Sequence, residues 1–102
     1  MKKISGTTIF LTRGDTLKLT VELTNYELQQ GDVIRFALKK DYSDTTPLIL
    51  KNLVDGVLTL EPSDTKSLDF GNYVYDIEIT TVDGEVDTFI DEAKFVLKKE
   101  VY

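Results

Sequence analysis

Leu68-Asp69-Phe70-Gly71-Asn72-Tyr73-Val74-Tyr75-Asp76-Ile77-Glu78-Ile79 is the stretch that decides the fold. From Tyr73 onward it alternates without a fault. Tyr73, Tyr75, Ile77 and Ile79 fall on one face, and Val74, Asp76, Glu78 and Thr80 on the other. A period of two sends successive side chains to opposite faces of a strand, so one face belongs to a core. The approach has the form Asp-x-Gly-x-Tyr, from Asp69, Gly71 and Tyr73. It fits a corner in which the tyrosine that opens a central strand donates its hydroxyl to backbone just upstream.

Outward from this strand the same patterning recurs. Met1 to Ser5 reads as an edge segment, and Thr7 to Leu11 as a β-branched and aromatic run. In Thr16 to Leu23 the residues Leu17, Leu19, Val21 and Leu23 alternate with Lys18, Thr20 and Glu22, a half-buried strand. Val33 to Lys40 places Ile34, Phe36 and Leu38 inward, with Arg35 and Lys39 outward. Leu48 to Leu53 and Val57 to Leu60 bracket Val54-Asp55-Gly56. A strict two-residue turn there would set Leu60 opposite Lys51, so a bulged loop with Gly56 left-handed and Leu60 opposite Leu50 is expected. Glu61 to Leu68 suits one helical turn, with proline near its start and Leu68 as an apolar plug.

Beyond Val82 a turn on Asp83-Gly84 returns the chain as Glu85 to Ile90, and Ala93 to Leu97 supplies a closing strand. A two-residue turn pairs Ile79 with Thr88, Ile77 with Ile90, Glu78 with Phe89 and Asp76 with Asp91. All six glycines fall between these segments. With 102 residues there is enough chain for one core and too little for two, so residues 1–102 form a single domain. About seven or eight short antiparallel strands at this spacing make an all-β, immunoglobulin-like Greek-key β-sandwich.

The composition narrows the chemistry. Without Cys or His, the chain lacks thiol and imidazole nucleophiles, the usual zinc ligands and any disulfide. A formal net charge of −6 disfavours nucleic acid as a partner, and Lys2-Lys3, Lys39-Lys40 and Lys98-Lys99 read as solvated strand ends. No apolar run is long enough for a membrane span or a signal peptide. Arg13-Gly14-Asp15 resembles an adhesive tripeptide but reads as a tight turn. Asp76 and Asp91, opposed on an outer face, are the best candidates for calcium or acid–base work. A neighbouring lysine relieves such a pair more simply, and no calcium-loop spacing is present. No catalytic residue, metal or cofactor is expected. Two surfaces are candidates for binding: Phe89, Val82 and Glu78 as an interface, and Tyr26, Tyr42 and Asp44 as a loop platform for sugar or a host surface.

Ile9-Phe10-Leu11-Thr12-Arg13-Gly14-Asp15-Thr16, Gly31-Asp32-Val33-Ile34-Arg35-Phe36 and Gly71-Asn72-Tyr73-Val74-Tyr75-Asp76-Ile77 together resemble small immunoglobulin-like structural proteins of phages and prophages of Gram-positive bacteria. The N-terminal domain of the phage baseplate upper protein is similar. The resemblance implies a non-enzymatic module of a baseplate, tail or capsid that contacts other phage structural proteins or further copies of itself. It implies a place in the virion, or in the bacterial cytoplasm before assembly. A carbohydrate- or host-surface-binding module is the alternative.

Overall fold

The computed structural model describes residues 8–21 and 26–99, and for Phe89, Asp91 and Glu92 the backbone alone. Expectations for Met1 to Ser5, Thr7, Glu22 and Leu23 lie outside these residues. Along the chain run β1 (Ile9–Thr12), β2 (Leu17–Thr20), β3 (Val33–Lys39), β4 (Ile49–Asn52), β5 (Val57–Leu60), α1 (Pro62–Thr65), β6 (Gly71–Thr80) and β7 (Val86–Lys98). They form a five-stranded sheet in the order β1-β7-β6-β3-β4 and a two-stranded sheet of β2 and β5. The protein is thus an all-β, sandwich-like domain. Among the described residues no helix is long and apolar enough to cross a membrane.

The alternation read from the sequence defines the core. Ile34, Phe36 and Leu38 of β3 and Tyr73, Tyr75, Ile77 and Ile79 of β6 are buried, with Ala93, Phe95 and Leu97 of β7 beside them. Leu58 and Leu60 of β5 close the core from the second sheet, with Leu17 and Leu19 packed against it. Phe36, Tyr75 and Phe95 meet at its centre. Their ring centroids lie 5.5, 6.5 and 6.4 Å apart, and the Tyr75–Phe95 pair is edge-on, an arrangement favoured by the ring quadrupoles. Burial pushes the Tyr75 hydroxyl above the ordinary phenol range.

The corner before β6 forms as expected. Tyr73 is buried, and its hydroxyl donates to the Asp69 carbonyl at 2.5 Å. Gly71 opens the strand at φ +149°, where a side chain is strained. The helical turn is also present: Pro62 starts it, and the Asp64 carboxylate accepts from the Glu61 N–H at 2.7 Å.

Four expectations need correction. First, not every strand is antiparallel: β1 joins β7 in parallel, with Ile9 opposite Phe95 and Leu11 opposite Leu97. Second, Asp55-Gly56 is a two-residue turn. Both residues have positive φ (52° and 78°), and Val54 and Val57 exchange hydrogen bonds of 3.0 and 2.9 Å across it. The objection to that turn disappears because the strands part after one pair. β4 pairs with β3 while β5 crosses to β2, so Leu60 lies opposite Leu17 and not Leu50.

Third, Val82-Asp83-Gly84 is a three-residue loop, closed by Thr81 N–H to the Glu85 carbonyl at 2.8 Å, with Gly84 at φ 90°. Ile79 therefore faces Asp87, and Glu78 faces Thr88. Phe89 is then an extra residue in a bulge, after which Ile77 meets Ile90 as expected. Fourth, the segment expected from Glu85 to Ile90 starts at Val86 and is continuous with Ala93 to Leu97 in one strand. A second bulge sets Asp76 against both Asp91 and Glu92 before Tyr75 meets Ala93. Each bulge restores the inward phase of β7 at the cost of a local kink and added twist.

Candidate interaction face

The outer face of the five-stranded sheet follows from the register. Ile9 and Leu11 point inward, so Phe10 points outward; Phe95 and Leu97 do the same for Val96. Parallel pairing sets Phe10 beside Val96, and the next ladder sets Val96 beside Asn72. One step along, Lys94 lies beside Val74, and Val74 beside Lys39. The result is an apolar floor with a cationic border. It forms a depression of about 540 Å³ lined by Thr8, Phe10, Lys40, Asn72, Tyr73, Val74, Lys94 and Val96. Phe10 is 64% exposed, although phenylalanine normally prefers burial.

Lys40 builds one wall of this depression. Its ammonium sits 4.6 Å from the centroid of the Tyr73 ring and donates to the Asn72 carbonyl at 3.0 Å. Both contacts hold a long side chain that would otherwise sample many rotamers. Burial, with help from Asp69 and against the pull of Arg13, raises the Tyr73 hydroxyl above its usual range. Further across the face, Arg35, Ala37, Leu50, Asp76, Glu78 and Thr88 border a smaller hollow of about 230 Å³. Here Glu78 lies 3.9 Å from Arg35. Its role is that of an exposed ion pair, of small energetic weight.

The opposite end of the sandwich is organised by Asp32. Its carboxylate accepts from the Tyr26 hydroxyl at 2.5 Å, the Gln29 N–H at 2.8 Å and the Val82 N–H at 2.8 Å. The Tyr26 hydrogen bond, followed by the two backbone donors, lowers the Asp32 carboxyl below its usual range. The same bond is the largest cause holding Tyr26 up at about 12, followed by burial and the charges of Asp32, Asp83 and Glu85. Val82 is thereby fixed in an exposed position at the β6–β7 tip.

The loop platform does not assemble. Tyr26 bonds to Asp32 just before β3, whereas Tyr42 and Asp44 follow β3 at its far end. The strand between them separates the two aromatics by roughly 20 Å at a rise of about 3.3 Å per residue. Asp44 is also engaged locally, accepting from the Asp41 N–H at 3.1 Å. For the expected interface, Val82 is exposed and Glu78 half-buried, while the side chain of Phe89 lies outside the described residues. Arg13-Gly14-Asp15 is a turn tied to the fold. Arg13 donates to the Leu68 carbonyl at 3.1 Å and lies over Phe70, and the Gly14 N–H bonds to Thr65 Oγ1 at 3.1 Å. Among the described residues no group of three or more acidic side chains is arranged to hold a metal ion.

The exposed Phe10, with Val74 and Val96, is what the sequence reading missed. The signal was present in the Ile9-Phe10-Leu11 run, whose middle residue must face away from the other two. Compared with protein-family models, curated proteins and solved structures, the chain matches none.

Proposed function

We propose that this chain is an immunoglobulin-like Greek-key sandwich that serves as a non-enzymatic assembly module of a phage or prophage particle. Three features support the fold reading. Consecutive strands β2 and β3 belong to different sheets, an edge strand joins parallel to the last strand, and a tyrosine corner opens β6. The phage assignment rests on the resemblance carried by the segments from Ile9 to Thr16, Gly31 to Phe36 and Gly71 to Ile77.

The observation that carries the assembly reading is Phe10. A large aromatic side chain left open beside Val96, on the face it shares with Val74 and within a lysine border, has the anatomy of a protein contact: an apolar centre with a polar rim. A rigid sheet presents it, so little ordering cost opposes docking. Partners are other structural proteins of the particle or further copies of this chain. To test this, particles released from an induced lysogen are purified and probed for the chain. The expected result is co-purification with particles, lost in a Phe10→Asp variant that still folds. Recovery of the wild-type chain only in the particle-free fraction would overturn the reading.

A further inference from the structure

The depression around Phe10 and the β6–β7 tip are complementary in charge and in apolar character. We propose that the tip of one copy seats in the depression of a second copy, joining this chain to itself head to tail. The proposal rests on the assembly reading and names the partner.

The charge separation follows from the topology. Strand connections bring the segments around residues 26–32, 53–56 and 81–85 to one end. Together they carry Glu27, Asp32, Asp55, Asp83 and Glu85, with no lysine or arginine. The depression has the opposite character: Lys40 and Lys94 line it, and among the described residues no acidic side chain does. A chain with a net charge of −6 has thus kept one apolar hollow walled by cations. Opposite potentials of this kind favour docking in one orientation and penalise like ends meeting.

The apolar parts match as well. Val82 and Val86 stand 59% and 61% exposed on either side of Asp83 and Glu85. The tip is also braced before docking: the Val82 N–H bonds to Asp32 and the Glu85 N–H to Thr81 Oγ1 at 3.2 Å. Preorganisation of this sort lowers the cost of binding.

One copy cannot satisfy its own depression. β6 runs from Asn72 at the depression to Thr80 below the tip, roughly 26 Å along one strand. The contact must therefore be intermolecular and between unlike surfaces, which generates rings or open filaments. A contact the size of one hairpin tip is small, so association is weak and concentration-dependent.

Sedimentation velocity on the purified chain tests this through charge reversal. The weight-average mass of the wild type should rise with concentration at low salt and fall when salt is added. Lys40→Glu with Lys94→Glu makes both surfaces acidic; Asp83→Lys with Glu85→Lys makes both basic. Each doubly substituted chain alone should lose more than about tenfold in apparent association constant. Mixed in equal amounts, they should associate again, because each tip now meets a depression of opposite sign. All four positions are exposed, and a cooperative thermal transition retained in each variant verifies folding. A wild type that stays monomeric into the millimolar range, or a mixture that fails to recover, overturns the head-to-tail contact. If that same chain nonetheless co-purifies with particles, the assembly reading stands and its partner is a different protein.

Discussion

Replacing Tyr73 with phenylalanine isolates the hydroxyl that fastens the start of β6 to the Asp69 carbonyl. The ring stays, so its core contacts and the Lys40 ammonium above it are retained. A net hydrogen bond contributes about 1 kcal/mol, and an acceptor left buried without a donor would cost more. Asp69 is exposed, so water can reach its carbonyl and the lower figure applies. With a urea dependence of roughly 1–3 kcal/mol/M, the denaturation midpoint should fall by about 0.3–1 M at unchanged slope. The thermal midpoint should drop by about 4–8 °C, the usual response of a domain near this size. Circular dichroism of matched samples measures both. An unaltered midpoint in both experiments would mean that the corner does not fasten the strand, and the reasoning about how β6 is anchored would fail.

Thr65→Val removes the hydroxyl that accepts from the Gly14 N–H while nearly conserving a fully buried volume. It should cost about 1 kcal/mol and speed exchange of the Gly14 amide; unchanged exchange would show that the Thr12–Asp15 turn does not depend on α1. Gly56→Ala places a Cβ at φ +78° and 3.4 Å from the Val21 carbonyl, and urea denaturation should reveal a loss of about 1 kcal/mol or more. Gly84 at φ +90° meets nothing within 4 Å, so Gly84→Asn should stay within about 1 kcal/mol of the wild type by the same assay.

Tyr26 keeps its proton to about 12 when folded, against 10.0 for the free side chain. Its stabilising contribution is complete below pH 10 and disappears as pH rises through the folded value. Asp32, lowered from 3.8, contributes above that value and loses its contribution as pH falls through the folded one. In Tyr26→Phe the Asp32 carboxyl, followed by NMR, should titrate closer to 3.8, and the alkaline loss should shrink. An Asp32 midpoint that does not move would rule out the pairing.

Where side chains alternate cleanly the fold was legible. β3 and β6 show their inward residues directly, and the Asp-x-Gly-x-Tyr approach announced the Tyr73 corner. Pro62 marked the helical turn. Non-local pairing left no such mark: nothing in Ile9-Phe10-Leu11 says that it lies parallel to β7, so the union of Phe10 with Val96 and Val74 was hidden. The second bulge did leave a trace. Ile90 and Ala93 both serve the inward side but stand three residues apart, an odd spacing that a regular strand cannot accommodate. That spacing reads equally well as a break, which is why one long strand looked like two. The Asp55-Gly56 turn was misjudged for a different reason. Its flanking strands were assumed to stay together, whereas they diverge into separate sheets.

The central claim is that the open sheet face around Phe10 is a surface for assembly with a second copy. Amide chemical shifts recorded as the chain is concentrated test it most directly. The account predicts that Phe10, Val74, Lys94 and Val96 shift together with Val82 to Val86, and that salt reverses the change. Shifts confined elsewhere, or none at all over the accessible range, would contradict it.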